Sequence, residues 1–267
     1  MSVDRITERP RGLFSRLLIR YLTSQVREYR SYSVTPTAVL RSLMKPGDIL
    51  LVEGNQRFSA AVKYLTQSTW SHAAFFAGDL APNAAGDTES AELVEANLEH
   101  GVVAVPVTKY EGLNTRICRP VSLAAEDRIK VARFMIDRIG YQYDLKNVTD
   151  LARYLLPTPP VPLHWRRRLL AFGSGDPTRV ICSTLIAQAF QSVRYPILPE
   201  IEKLSDEQWR LAKHTAHEVL HIRHHSLFAP RDFDISPYFS IIKPTIEQGF
   251  DYKALEWDDG GTSSSPS

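Results

Sequence analysis

The sequence predicts a fold of mixed helices and strands built around one core. Short apolar runs bounded by turn residues alternate with segments whose apolar residues recur at helical spacing. The chain has 267 residues, of which 43% are hydrophobic; this is enough for one sizeable core and does not require two domains. The formal net charge of +2 argues against a polycation that binds nucleic acid.

The first predicted element is a basic amphipathic helix within residues 11–30. Leucines and aromatic residues recur at helical spacing from Leu13 to Leu22, and arginines lie between them. Such a helix either docks on an anionic membrane surface or packs on the domain with its arginines in solvent, and the sequence leaves both open. We expect no signal peptide and no transmembrane helix, and hence a cytoplasmic protein with an option of peripheral contact at the inner membrane face.

Two helices and five strands are predicted between residues 36 and 119. Thr35 is expected to be the N-cap of the first helix and Pro36 its first residue. Apolar runs that end in Gly, Pro, Asn or Asp indicate the strands. The expected elements are a helix at 36–44, a strand at 48–54, a helix at 59–66, and strands at 71–77, 93–96, 102–107 and 115–119.

A third helix is predicted from Ser122, its N-cap, to Ile139, with Gly140 ending it. Its apolar face is expected to carry Ile129, Ala132, Met135, Ile136 and Ile139. Residues 157–178 are rich in proline, arginine and glycine, and form either a lid over a site or a solvated insertion. We predict an N-terminal extension at 1–45, one domain at 46–245, and a partly disordered tail at 246–267.

Cys182 stands directly before the apolar run 185–190, which places its thiol on the first turn of a buried helix. Unpaired backbone N–H groups and the positive end of the helix dipole favour a thiolate there. The other cysteine, Cys118, lies within a predicted strand and is interpreted as a core residue. One disulfide between the two stays open, but two free thiols are the simpler interpretation.

His72 and Glu95 are the candidate partners of Cys182. His72 begins a short apolar strand, and Glu95 is a carboxylate inside another, so adjacent strands would bring the two side chains together. Glu95 could then hold the imidazole in one tautomer and stabilise its protonated form. Taken singly, each residue has a simpler interpretation, as a core cysteine, a core histidine and a charge at a strand edge.

Several segments together resemble the circularly permuted papain-like hydrolases, the YiiX/YebB-like relatives of the NlpC-type cysteine amidases. These segments are Pro46–Leu51, Tyr64–Ala74, Val94–Ala96, Tyr143–Asp144 and Cys182–Ser183. The resemblance spans roughly residues 45 to 245, and its order, with His72 and Glu95 before Cys182, is the permuted one. It implies an α+β fold in which an antiparallel sheet carrying the histidine and glutamate packs against the cysteine helix.

The resemblance also implies a mechanism: Cys182 as nucleophile, His72 as base and Glu95 as third member, with no metal or organic cofactor. Glu92 and Glu99 are close enough in sequence to compete with Glu95 for the third role. Tyr143, Ser183 and Asn55 are candidates for the oxyanion site or the pocket wall. We therefore predict a hydrolase of amide, ester or thioester bonds, or an acyltransferase, acting on a small-molecule, peptide or acyl-lipid substrate.

Two alternatives remain at this point. The first is a non-catalytic, membrane-proximal binding protein on the same scaffold. The second is a zinc metallopeptidase, because residues 217–221 read HEVLH, and HExxH on a helix places two histidines one turn apart with a glutamate as base. The surrounding stretch is rich in histidine, which raises the chance of an accidental match.

Overall fold

A computed structural model describes residues 20, 21, 23–25, 31, 35–83, 89–97, 99–141, 181–203, 218–221, 224, 225 and 228–254. The helices in these ranges are α1 (Thr37–Leu43), α2 (Arg57–Thr66), α3 (Ala125–Ile136), α4 (Ile181–Ser192), α5 (Pro230–Asp234) and α6 (Pro244–Glu247). The strands are β1 (Ile49–Val52), β2 (His72–Phe76), β3 (Leu93–Asn97), β4 (Gly101–Val105), β5 (Thr115–Pro120), β6 (Glu200–Lys203), β7 (Glu218–His221) and β8 (Phe239–Ile242).

Six of these strands form one antiparallel sheet in the order β4-β3-β2-β1-β5-β8. The remaining two, β6 and β7, pair with each other in a separate antiparallel ribbon. The predicted combination of helices with an antiparallel sheet is therefore confirmed, and the chain has an α+β fold. The five strands predicted between residues 48 and 119 are all present, with ends that differ by one or two residues.

Both faces of the sheet are buried, which explains why β1 is apolar at every position. Successive side chains of a strand point to opposite faces. Ile49 and Leu51 accordingly pack in the cluster that holds α3 and α4, whereas Leu50 and Val52 pack in the cluster that holds Leu40 of α1. Helix α4 lies on β2 and β3 and also contacts α3. The sheet is thus the middle layer between α1 and the α3–α4 pair.

Two predicted helix N-caps are wrong, one by a single residue and the other by two. Pro36, rather than Thr35, is the N-cap of α1, with no side-chain cap hydrogen bond. Helix α3 begins at Ala125 instead of following a Ser122 cap, because Ser122 has a φ of 57° and belongs to a left-handed turn. The buried face is also shifted: Val131 is fully buried whereas Ile129 is 46% exposed.

The predicted HExxH helix is wrong as well. Residues Glu218–His221 form strand β7, in which Val219 pairs with Glu202 and Leu220 with Ile201. A strand turns successive side chains to opposite faces, so Glu218–His221 do not have the helical geometry of the motif. His217 lies outside the described residues. This strand removes the helical geometry on which the metallopeptidase alternative depended.

The N-terminal part of the chain contacts the main body at the described positions. Leu40 and Met44 pack beneath the sheet, and the Arg57 backbone N–H donates to the Ser24 carbonyl at 3.0 Å. Residues 11–19, the core of the predicted amphipathic helix, lie outside the described residues, so its membrane contact stays a prediction. Among the described helices, none combines the length and apolarity needed to cross a bilayer. The predicted division at residues 45 and 245 also stays a prediction.

Candidate active site

A cavity of about 450 Å³ opens at the end of the sheet where β1 stops and β2 begins. Helix α2 forms one wall, the start of α4 a second, and the short 3-10 turn at 107–110 a third. Cys182, His72 and Glu95 all line it. The three residues that the sequence placed in one mechanism therefore share one cavity, although 110 positions separate His72 from Cys182 along the chain.

Adjacent antiparallel strands bring His72 and Glu95 together. Side chains two positions apart on a strand point to the same face, so His72 lies on the face of Ala74 and Glu95 on the face of Leu93. Ala74 and Leu93 belong to one cluster, so His72 and Glu95 are on the same face of the sheet. The His72 Nε2 and Glu95 Oε2 atoms are 3.0 Å apart. The His72 side chain is 19% exposed, whereas that of Glu95 is fully buried.

Glu95 has three further hydrogen-bond donors. The Asn97 side-chain amide donates to Oε1 at 3.0 Å, the Lys109 ammonium donates to the same oxygen, and the Tyr110 hydroxyl donates to Oε2. Burial alone would raise the pKa of Glu95, but protonated His72 and then Lys109 outweigh it and lower this pKa to about 2. Glu95 is therefore an ionised carboxylate held from four directions.

The two competing glutamates have other surroundings. Glu92 lies toward the far end of β3, where it forms an ion pair with Arg41 of α1. Glu99 follows β3 and lines the cavity, but its side chain is 45% exposed, in contrast to the fully buried Glu95. Glu95 is consequently the carboxylate that contacts the histidine.

Cys182 reaches the cavity from the opposite layer. It is the second residue of α4 and packs against Val62 and Phe58 of α2 with 4% of its surface exposed. Burial by itself lowers the pKa of His72. The negative charges of Cys182 and Glu95, together with hydrogen bonding to them, outweigh burial and raise this pKa to about 10. Since Nε2 faces Glu95, Nδ1 is the ring nitrogen left for the Cys182 sulfur.

The structure describes two of the three residues predicted for the oxyanion site or the pocket wall. Asn55 lines the cavity, in the turn between β1 and α2. The Ser183 side chain is fully buried, and its hydroxyl donates to the Phe228 carbonyl at 2.7 Å instead of pointing into the cavity. The reason is helical rotation, which turns consecutive side chains by about 100°. Tyr143 lies outside the described residues, as does the predicted lid at 157–178.

Cys118 is a core residue, as the sequence suggested. It is fully buried in β5, opposite Ile49, and is a free thiol like Cys182. Burial, and to a smaller extent the negative charge of Asp234, raises the pKa of the Cys118 thiol. Cys118 therefore provides an unactivated thiol within the same molecule, which is useful as an internal reference.

Two further site residues, Lys109 and Tyr110, belong to no pattern recognisable in the sequence. Both lie in the 3-10 turn after β4, both line the cavity, and the Tyr110 ring centroid is 5.9 Å from that of His72. Neither belongs to a motif, and their role depends on how the turn folds back over β3. The adjacent Lys-Tyr pair directly after a predicted strand was the only local signal, and it is a weak one.

A polar cluster outside the cavity holds the chain just before the start of β2. The Trp70 indole N–H donates to Asp234 Oδ2 at 3.0 Å, and Arg116 Nη1 donates to Asp234 Oδ1 at 2.6 Å. The Arg116 guanidinium also lies 4.9 Å from the centre of the Trp70 ring. These contacts anchor α5 beside the residues that precede His72 and restrict movement of the histidine backbone.

Comparison with known proteins adds little to this geometry. No family model and no curated protein matches the chain. Among solved structures, the crystal structure of metalloprotein yiiX from Escherichia coli O157:H7, DUF1105, superposes with a TM-score of 0.42 and 16% identity over 74% of this chain and 96% of that chain. This is a loose likeness to a YiiX structure, and no statement about chemistry rests on it.

Proposed function

We propose that this chain is a cysteine-dependent acyl hydrolase of the permuted papain-like type. One observation carries the proposal: Cys182, His72 and Glu95 line one cavity, and His72 Nε2 lies 3.0 Å from Glu95 Oε2. A nucleophilic cysteine needs a base within hydrogen-bond reach and a group that orients the base, and this set supplies both. The order along the chain, histidine and glutamate before cysteine, is the permuted order.

The first half of the proposed reaction forms a thioacyl-enzyme. The Cys182 sulfur donates an electron pair to the acyl carbon, a C–S bond forms, and the carbonyl π electrons move to oxygen. When the tetrahedral intermediate collapses, the C=O bond reforms and the bond to the leaving group breaks. The leaving group takes the proton held by His72.

The second half releases the acyl group. Neutral His72 removes a proton from water as the water oxygen attacks the thioacyl carbon, and collapse expels the Cys182 thiolate beside a protonated His72. An alcohol or amine in place of water would give acyl transfer instead. Glu95 stays ionised throughout and stabilises the imidazolium that precedes each departure.

The developing oxyanion needs donors close to the Cys182 sulfur. We assign this role to the backbone N–H groups at the start of α4, where the positive end of the helix dipole lies, and to the side-chain amide of Asn55, which lines the cavity. Both are neutral donors, so they strengthen as negative charge moves onto the oxygen without holding a charged substrate in the ground state.

The described walls of the cavity combine polar side chains with apolar contact from Phe58, Leu113 and Val52. A panel of activated esters, thioesters and aminoacyl anilides with different acyl lengths should therefore be hydrolysed to different extents. We expect Cys182→Ala to reduce turnover of the best substrate by at least about 10³-fold, since the nucleophile is absent.

Cys118→Ala serves as the control, because it removes the second thiol from the sheet without touching the cavity. It should retain turnover close to that of the unaltered protein at a temperature where both are folded. Substantial turnover by Cys182→Ala would contradict the proposal. Absence of turnover on the entire panel, together with an unreactive Cys182, would favour the binding-protein alternative.

A further inference from the structure

We propose that Lys109 is a positioning residue of this site: its ammonium offsets the charge of the buried Glu95 carboxylate and thereby sets the pH range in which the Cys182–His72 ion pair exists. The proposal rests on the proposed function, because it concerns the same three residues. It adds a fourth charged group, which is outside any motif and reaches the site from the turn at 107–110.

Burial of Glu95 makes a countercharge necessary. Its side chain has no exposed surface, and an isolated carboxylate in such a place costs several kcal/mol or takes up a proton. Of the three donors that contact it besides His72, Asn97 and Tyr110 are neutral. Lys109 is the donor with a permanent charge, and its ammonium bonds directly to Glu95 Oε1.

The four groups then alternate in sign. The Cys182 thiolate faces the His72 imidazolium, which faces the Glu95 carboxylate, which faces the Lys109 ammonium. The sum of these charges is zero. Without Lys109 the cluster carries one net negative charge in a largely buried setting, where charges interact more strongly than in water.

The net charge of the four groups determines the direction in which Lys109 shifts thiolate formation at Cys182. Forming the ion pair at low pH places a second negative charge, the thiolate, near Glu95. Lys109 offsets the Glu95 charge, so it makes thiolate formation easier and moves the onset of ion-pair formation to lower pH. Loss of the ammonium must move that onset to higher pH.

Among the residues that the structure describes, the other charged groups around the site are exposed or paired elsewhere. Those that line the cavity with Lys109 are Glu99, His100 and Glu111, all at exposed positions where water and salt screen them. On the neighbouring elements, Lys63 of α2 is paired with Glu53 at 3.1 Å, Arg57 stacks on Tyr21, and Arg41 is paired with Glu92. The side chain of Lys109 is 39% exposed, so part of its own effect is screened too.

The test is the rate of iodoacetamide alkylation of Cys182 as a function of pH, read by mass spectrometry of the intact full-length protein and its peptides. This readout needs no substrate. The low-pH limb of this profile is the first rise in alkylation rate as the pH increases. In Lys109→Met, which keeps the length of the side chain, the midpoint of the low-pH limb should move up by about 0.5 to 1 pH unit. Lys109→Arg should restore the midpoint to within about 0.2 units, because it restores the charge.

A double variant separates action through Glu95 from direct action on the thiol. If Lys109 acts through Glu95, the midpoint in Lys109→Met/Glu95→Gln should equal that of Glu95→Gln alone. Lys130→Met is the charge control: it removes an exposed lysine of α3 that does not line the cavity, and it should leave the midpoint unchanged. If Lys109→Met does not fold, as judged by thermal unfolding, Lys109→Gln answers the same question.

The outcomes distinguish this inference from the proposed function. A low-pH limb that is present in the unaltered protein, lost in His72→Ala and unchanged in Lys109→Met would overturn the role of Lys109 while leaving the activated pair intact. Absence of a low-pH limb in the unaltered protein would remove the activated pair itself, and with it both claims. A limb that moves upward in Lys109→Met and returns in Lys109→Arg supports the inference.

Discussion

Replacement of His72 by alanine should slow alkylation of Cys182 at pH 6 by about 30-fold. An unassisted cysteine, with a pKa near 8.5, is only about 0.3% thiolate at that pH. The proposed ion pair with His72 would make the thiolate the dominant form, a gain of up to about 300-fold in the reactive species. A stabilised thiolate is less nucleophilic, which offsets roughly tenfold of this gain.

The matched control for this prediction is His100→Ala. His100 lines the same cavity, but its side chain is 69% exposed and lies on the turn after β3. Its removal should change the alkylation rate by less than about twofold. Equal rates for the unaltered protein and His72→Ala would mean that the histidine does not activate the thiol, and Cys182 would then be an ordinary helix cysteine.

Glu95→Gln should destabilise the fold by about 1–3 kcal/mol at pH 7. Three donors and the His72 ring converge on the two carboxylate oxygens, so an amide nitrogen in place of either oxygen faces a donor instead of an acceptor. The charged hydrogen bonds to His72 and Lys109 are also weakened, because the acceptor becomes neutral. Chemical denaturation of the two proteins measures this difference directly.

The difference in unfolding free energy between the unaltered protein and Glu95→Gln should change with pH in one direction. The pKa of Glu95 is lowered from 4.5 to about 2, so the folded protein releases this proton more readily than the unfolded chain does. The contribution of Glu95 is complete above pH 4.5 and is lost as the pH falls toward 2. The free-energy gap between the unaltered protein and Glu95→Gln should therefore narrow over that range.

Glu99→Gln provides the comparison for a carboxylate in the same cavity. Its side chain is 45% exposed, and we expect a change in unfolding free energy below about 0.5 kcal/mol at pH 7. A loss of unfolding free energy in Glu95→Gln below about 0.5 kcal/mol, or one that grows toward pH 2, would contradict the assignment of Glu95 as the buried, ionised partner of His72.

The parts of the fold that local sequence could predict are those with strong local signals. The strand around Ile49 is a continuous apolar run between Gly47 and Gly54, and a strand buried on both faces has this pattern. Cys182 and His72 each border an apolar segment whose type is unambiguous, so their elements were predicted correctly. Their meeting in one cavity came from the family resemblance, because no local pattern reports which strands are neighbours.

The errors arise where tertiary structure overrides a local preference. Ser122 is a favourable N-cap residue, but the chain leaves β5 through a left-handed turn at this position and α3 starts only at Ala125. The HEVLH match considered residue types alone, whereas Val219 and Leu220 favour the strand that they form in β7. In both cases the chain beyond the immediate window decides the conformation.

Lys109 illustrates a limit of a different kind. A lysine in a turn is ordinarily a solvated charge, and its sequence neighbours give no sign of a buried partner. Its contact with Glu95 exists because the turn at 107–110 folds back over β3, which depends on the length of the connection after β4. Such a residue becomes visible only when the partners of the buried carboxylate are examined in three dimensions.

The most direct test of the central claim is to trap the acyl-enzyme. The protein is mixed with an excess of a slowly hydrolysed activated ester or thioester, quenched in acid within seconds, and mapped by peptide mass spectrometry. We expect one acyl group per chain, carried by the peptide that contains Cys182, and none on Cys118 or in Cys182→Ala. Turnover of the substrate without an adduct on Cys182, or with the same adduct in Cys182→Ala, would contradict the account.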